Sequence, residues 1–202
     1  MKGLYLVTPD WDDTDRLIAV TEQALRGGAR LLQYRHKTAS DALRHEQATG
    51  LLRLCRQLNV PLVINDHLEL CEAIDADGIH VGGTDASVAS MRAQLGASKI
   101  VGASCYGDLQ LARDAQASGA SYVAFGGFYP SRVKKYAVTT SPTIIGLALN
   151  ELHSPICVIG GMTPENSRVL IDHGAHMVAA ISSVYSADDP HLAASNFSQM
   201  FR

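Results

Sequence analysis

Short, mostly apolar runs alternate with helix-length amphipathic stretches eight times along this chain, and few folds accommodate that rhythm. The runs are Leu4–Val7, Arg30–Arg35, Val63–Ile64, Gly78–Val81, Lys99–Ser104, Ser121–Phe125, Ile156–Ile159 and Met177–Ile181. Helical periodicity occupies Asp12–Arg26, Ala39–Leu58, Leu68–Ile74, Val88–Leu95, Leu109–Ser118, a stretch near Ile144–Leu152, Pro164–His173 and Pro190–Phe201. Three of the helices close on the same small step, Gly28-Ala29, Gly119-Ala120 and Gly174-Ala175, which turns the chain directly into the next strand. Strands joined through helices are parallel, and right-handed crossovers bring all their C-terminal ends to one side. Eight such units in 202 residues predict an α/β fold, a single-domain (β/α)₈ TIM barrel over residues 1–202. An open doubly wound sheet would show fewer repeats and a glycine fingerprint after the first strand; Thr8-Pro9-Asp10 stands there instead.

Composition narrows the class of function. The chain is 47% apolar and 18% charged with a net charge of −3, which suits a soluble globular protein. It lacks the basic surplus of a nucleic-acid binder, and no stretch approaches a membrane span. The start, M-K-G-L-Y-L-V-T-P-D, has too short an apolar run for a signal peptide. Cys55, Cys71, Cys105 and Cys157 are widely spaced without a Cys-x-x-Cys pair, as expected of buried thiols in a reducing compartment. The expected location is the cytoplasm. Apolar residues on the outer helices serve equally as packing or as the interface of a homo-oligomer.

The C-terminal strand ends are where a barrel builds its site. The segment Val63–Asp85 reads strand, helix, strand, with Asp66 just past the first strand and Asp85 just past the second. Two carboxylates over one face repel unless a hard cation lies between them, which points to Mg²⁺. The competing reading makes Asp66 the N-cap of the following helix. After the second strand, Gln33-Tyr34-Arg35-His36-Lys37 sends Gln33, Arg35 and Lys37 to one side and Tyr34 and His36 to the other. The first three form either an anion site or a rim cluster paired with carboxylates. Ser104 ends the fifth strand with a hydroxyl. The loop from Phe125 to Lys135 carries glycines, Ser131, Arg132 and Lys134. Gly160-Gly161 and Ser182-Ser183 follow the seventh and eighth strands, where exposed backbone N–H groups form the usual phosphate cradle of such barrels. One mouth would thus hold two anionic groups, one through Mg²⁺ and one by backbone amides. An enzyme joining two phosphorylated small molecules needs that arrangement.

These segments resemble the thiamine-phosphate synthase family over nearly the whole chain: L-Y-L-V-T, Q-Y-R-H-K, V-I-N-D, A-D-G-I-H-V-G-G-T-D, V-G-A-S, P-S-R-V-K, I-G-G-M-T-P-E-N and A-I-S-S-V. The resemblance implies a reaction in which hydroxymethylpyrimidine diphosphate loses diphosphate and the nitrogen of a thiazole phosphate, or of its carboxylated form, captures the pyrimidine methylene. It implies that Gln33, Arg35, Lys37, Asn65, Ser104 and Lys134 hold the pyrimidine diphosphate, with Tyr34 and His36 in the same binding run. Asp66 and Asp85 would hold Mg²⁺. Ser131, Arg132, Val133, Gly161, Ile181 and Ser182 would hold the thiazole phosphate. Arg35, Lys37, Ser104 and Lys134 are the catalytic candidates it implies. The chain departs from the family pattern at three places: His36 replaces an acidic residue, Gly83-Thr84 replaces a Gln-Glu pair, and Val133 replaces a threonine. Val133 lacks the hydroxyl that a threonine would offer the thiazole phosphate.

Three other readings compete. A related thiazole tautomerase is expected to carry a histidine near the end of the fifth strand, where this chain has Ser104-Cys105-Tyr106. A non-catalytic sensor of thiamine precursors would not need both carboxylates and both cationic arms. A phosphosugar epimerase would want metal-binding histidines in other strands, and His80 alone reads as an ordinary strand histidine.

Overall fold

The computed structural model describes residues 1–82, 87–130 and 139–202. Eight strands close into a barrel in chain order: β1 (Gly3–Val7), β2 (Leu31–Tyr34), β3 (Leu62–Asn65), β4 (Gly78–Val81), β5 (Ile100–Tyr106), β6 (Tyr122–Gly126), β7 (Ile156–Ile159) and β8 (Met177–Ala180). Every neighbouring pair is parallel, and β8 pairs with β1 through Gly3 opposite Met177 and Leu4 opposite Val178. The helices are α1 (Thr14–Arg26), α2 (Asp41–Leu58), α3 (Leu68–Ala73), α4 (Val88–Leu95), α5 (Leu109–Ala117), α6 (Thr143–Glu151), α7 (Pro164–Asp172), α8 (Ser182–Tyr185) and α9 (Pro190–Gln199). The alternation therefore yields the barrel it predicts, with one element it does not show. The eighth strand stops at Ala180, one residue earlier than expected, and the short helix α8 begins at Ser182. Four residues are too few for hydrophobic periodicity to register.

Strand alternation divides the apolar residues into two layers. Tyr5, Val7, Leu31, Val63, Tyr122, Ala124, Cys157, Met177 and Ala179 fill the barrel interior. Their neighbours, among them Leu4, Leu6, Leu32, Ile64, Ile79, Val101, Phe125 and Val178, pack outward against the helices. Gly102 makes room for the largest interior ring: a Cβ there would lie 2.1 Å from the Tyr122 side chain. Both Tyr122 and Tyr5 are therefore admitted to the centre, edge to face, with ring centroids 5.7 Å apart.

Most helices start at a side-chain cap on the rim where the strands end. Asp13, Ser40, Ser87, Asp108, Thr163 and Asp189 each accept from an amide of the first turn. Asp66 is the exception to the capping reading. The N-cap of α3 is His67, which makes no side-chain cap, and the Asp66 carboxylate is directed elsewhere. Strand β5 also runs past Ser104 to Tyr106, through a register shift between those two residues. Cys55, Cys71, Cys105 and Cys157 are all buried free thiols, as their spacing suggests. Among the described residues no helix is long and apolar enough to cross a membrane.

Candidate active site

Asp66 leaves β3 in the left-handed region, at φ 61°, which aspartate tolerates better than most residues. That turn lifts its carboxylate over the mouth. Oδ2 accepts from Lys37 Nζ at 2.9 Å and from Asn65 Nδ2 at 2.7 Å, while Oδ1 accepts from the Gly82 amide at 3.3 Å. Burial raises the carboxyl's pKa, but Lys37, the Gly82 amide and Asn65 outweigh it and hold the group below the ordinary aspartate value. Asp66 is thus an ionised, hard-oxygen donor tied to its neighbour Asn65 and to the chain after β2 and β4. Its predicted partner Asp85 lies outside the described residues.

The run after β2 is organised from the β1–α1 loop. Thr8 Oγ1 donates to the Arg35 carbonyl and accepts from the Arg35 amide, both at 2.8 Å. Asp10 accepts from Arg35 Nη1 at 3.1 and 3.2 Å and from the Lys37 amide at 2.9 Å. Gln33, Arg35 and Lys37 therefore share the mouth side, as alternation requires. The carboxylate partners of the rim-cluster reading are also real, since Asp10 holds Arg35 and Asp66 holds Lys37. Lys37 stays half exposed, at 49% of its side chain, and so keeps donors for an incoming anion.

Two residues of the same run face away. The Tyr34 hydroxyl donates to Gln47 Oε1 on α2 at 3.0 Å, within the barrel–helix layer. The His36 side chain is 1% exposed, with Nε2 at 3.1 Å from Asp12 Oδ1. Both rings face the helix layer rather than the mouth, as strand alternation predicts. The pleat that directs Gln33 and Arg35 inward directs these two outward.

His80 proves central, although its single occurrence in β4 marks it as ordinary by sequence. It lies inside the barrel, 7% exposed, with Nδ1 at 2.8 Å from Tyr122 Oη and Nε2 at 2.9 Å from Ser104 Oγ. Tyr122 Oη is 2.6 Å from Tyr5 Oη, and Gln33 Nε2 donates to Tyr5 at 2.5 Å. Burial pushes both phenols far above their usual pKa, so each keeps its proton. Tyr5, Tyr122, Thr8 and Asp10, which sequence reasoning did not single out, and His80, which it read as an ordinary strand residue, are the neighbours that connect the predicted site residues. Only their inward alternation hinted at them, and alternation does not tell which strand faces which across a barrel.

On the opposite half of the mouth, a cavity of about 310 Å³ is lined by Ser104, Gly126, Gly127, Gly160, Gly161, Ile181, Ser182 and Ser183, with Tyr106 and Tyr129 among the larger walls. Gly161 sits at φ 64°, and a Cβ there would lie 2.2 Å from the Pro130 carbonyl oxygen. The Gly161 carbonyl accepts from Asn166 Nδ2 at 2.8 Å, and Thr163 and Asn166 form a reciprocal capping box. The glycine turn is thereby locked onto α7. The neck of the β6 loop is tied as well, because Gly127 O accepts from the amides of Thr139 and Thr140. The Ser183 hydroxyl is buried and has no hydrogen-bond partner among the described residues. An unsatisfied hydroxyl in a cavity wall is a ready contact for a polar ligand. Ser131, Arg132, Val133 and Lys134 lie outside the described residues.

The donor set around Asp66 suits a hard divalent ion. Mg²⁺ needs only one or two carboxylates and completes its shell with water and phosphate oxygens. Among the described residues no group of three or more His, Cys, Asp or Glu gathers, so the closed cages of other metals have no counterpart there.

Comparison with known proteins agrees with this geometry. The family model described as thiamine monophosphate synthase matches residues 4–184. A thiamine-phosphate synthase of Janthinobacterium sp. (strain Marseille) is 64% identical over 201 residues, covering 100% of this chain and 97% of the relative. One from Thiobacillus denitrificans is 45% identical, covering 98% of this chain and 94% of that protein. The solved thiamine phosphate pyrophosphorylase of Pyrococcus furiosus superposes with a TM-score of 0.84 at 26% identity, covering 98% of this chain and 95% of that one.

Proposed function

The chain belongs to the thiamine monophosphate synthase family, and from that premise we propose how its own residues carry out the coupling of a hydroxymethylpyrimidine diphosphate to a thiazole phosphate. The observation that carries the reading is the division of the mouth. The β2–β3 half bears Arg35, Lys37 and the ionised Asp66, and the β5–β8 half is a cavity walled by glycines and serines. Two phosphorylated molecules can meet across it, one on each half.

On the first half, Arg35 and Lys37, with Lys134 from the β6 loop, take the diphosphate. Gln33, Asn65 and Ser104 take the pyrimidine. Breaking the C–O bond leaves negative charge on the diphosphate, where fixed cations are worth most in a site shielded from water. Arg35 is held for this by Asp10 and Thr8, so its guanidinium needs no reorganisation when the charge develops. Asp66 and Asp85 would hold Mg²⁺, which would supply Lewis-acid stabilisation of the same charge. The electron-rich aminopyrimidine carries the positive charge at its methylene. The thiazole nitrogen then forms the new C–N bond, so no protein nucleophile is required. The cysteines take no part, being buried with their thiols pushed to high pKa.

On the second half, the turn at Gly161, the backbone at Ile181 and Ser182, and the Ser183 hydroxyl receive the thiazole phosphate, with Ser131, Arg132 and Val133 as the further contacts that the family resemblance implies. Loops after strands seven and eight, followed by a short extra helix, are the recurrent phosphate site of these barrels. The enzyme acts in the cytoplasm on small phosphorylated molecules.

Purified protein, given both precursors and Mg²⁺, is expected to release diphosphate and form thiamine phosphate, and to stop when either precursor or the metal is withheld. Protein that binds either precursor and releases no diphosphate would instead be a sensor, and the catalytic roles above would fall.

A further inference from the structure

Tyr106 combines a constrained backbone with an unengaged ring. Strand β5 shifts register between Ser104 and Tyr106, so that Ser104 pairs with Ala124 and Tyr106 with Phe125. Tyr106 itself sits at φ 51°, a conformation that a bulky residue adopts only at a cost. Its neighbours hold it there. The Asp108 amide donates to the Cys105 carbonyl at 2.9 Å across the turn. Gly107 lies so close to Thr140 that a Cβ would come within 2.4 Å of Thr140 Oγ1, and that hydroxyl donates to the Gly126 carbonyl at 2.6 Å.

The side chain has no such anchors. The hydroxyls of Tyr5, Tyr34, Tyr122, Tyr129 and Tyr185 all take part in hydrogen bonds. Among the described residues the Tyr106 hydroxyl has no partner and its ring meets no other aromatic ring. The residue is 43% exposed, and it forms part of the cavity wall beside Tyr129, Ile159 and Met162. Backbone strain kept in place by surrounding contacts marks functional positions, and a strand irregularity beside a site re-aims a side chain. Its place along the wall says what the ring would meet. The phosphate-receiving turns at Gly161 and Ser182 follow β7 and β8, whereas Ser104, assigned to the pyrimidine, stands just before Tyr106 on β5. A molecule anchored by its phosphate at the first must carry its reacting nitrogen toward the second. The part that spans this interval is its ring.

We propose that Tyr106 is a specificity-determining residue, whose ring packs against the heteroaromatic ring of the phosphate-bearing substrate and favours it over a saturated ring of the same size. The proposal rests on the assignment of this half of the mouth to the thiazole phosphate. A planar aromatic ring gains from an aromatic neighbour beyond the area it buries, and a puckered saturated ring does not.

The test compares the dissociation constants of the thiazole phosphate and of 2-cyclopentylethyl phosphate, which keeps a phosphate on a two-carbon arm and carries a saturated ring. Calorimetry is run on wild type, Tyr106→Phe, Tyr106→Asn and Tyr106→Gly. Asparagine and glycine accept the positive φ, so they remove the ring without straining the turn, and thermal melts check that both variants fold. The preference for the thiazole over the saturated ring should be the same in wild type and Tyr106→Phe. In Tyr106→Asn and Tyr106→Gly it should fall by about 2–10-fold. An unchanged ratio in these folded variants overturns the proposal. So does a phenylalanine variant that behaves like the asparagine one, since the hydroxyl and not the ring would then decide. Nuclear Overhauser contacts between the thiazole ring proton and the Tyr106 ring test the placement in wild type alone: they are expected, and their absence overturns it. Wild type that binds neither phosphate strikes the thiazole assignment together with the proposal. Wild type that binds both, with a ratio unaffected by the substitutions, strikes the role of Tyr106 and leaves the phosphate cradle standing.

Discussion

Replacing Asp66 separates its chemical role from its structural one, because two substitutions remove the charge and only one of them respects the backbone. Asparagine keeps the shape and tolerates the left-handed φ of 61° that this position requires. It loses the ion pair to Lys37, whose side chain is 49% exposed, and such a pair contributes at most about 1 kcal/mol to stability. Alanine loses the same pair and adds about 1 kcal/mol of backbone cost in the left-handed region. For a chain of this size that extra cost lowers the melting temperature by about 2–4 °C relative to the asparagine variant. Activity is expected to divide differently. Both variants should release diphosphate about 10²–10³-fold more slowly than wild type, because both lack the anionic oxygen proposed to hold the Mg²⁺ that would offset the departing group's charge. The carboxyl's pKa is held below its unfolded value, so its stabilising effect is present above that value and is lost as pH falls through the lower folded one. The stability difference between wild type and Asp66→Asn should therefore persist at neutral and mildly acidic pH and close only below about pH 3.9. Initial rates of diphosphate release and thermal melts, measured on both variants, check all of this. An asparagine variant within threefold of wild-type rate would refute the charge-anchoring role of Asp66. An asparagine variant as unstable as the alanine one would refute the backbone argument.

Gly161→Ala places a methyl 2.2 Å from the Pro130 carbonyl at a positive φ, so the β6 and β7 loops must part. Its KM for the thiazole phosphate should rise by up to about 100-fold while affinity for the pyrimidine diphosphate is retained, and loss of both together would refute the two-halved mouth. The thiols should resist alkylation in the native protein at pH 8, because burial pushes Cys55 and Cys105 to about 12 and Cys71 to about 11. Mass spectrometry before and after unfolding checks this, and one modified cysteine in folded protein would count against the burial of that residue.

The barrel was legible because its signals are local. A strand announces itself over a few alternating residues and a helix over two turns, so the order of elements follows from periods that need no knowledge of the rest of the chain. The same alternation placed Gln33, Arg35 and Lys37 on the mouth side and Tyr34 and His36 on the other, and the structure keeps that division. Position at strand ends also singled out Asp66, Gly161 and Ser182. The four-residue helix α8 was not legible, being shorter than any hydrophobic period.

What only the tertiary structure decided is which residues meet. Asp66 sits where sequence allows a helix cap, and its left-handed backbone, a long-range Lys37 contact and the Gly82 amide make it a mouth carboxylate instead. Asp10 and Thr8 follow β1 yet hold the end of β2, and His80 on β4 joins Tyr122 on β6 to Ser104 on β5. These pairings depend on the register with which eight strands close on themselves. Burial pattern carries the face of each strand but not its neighbour across the barrel, and the contacts between facing side chains exist only once the ring is closed.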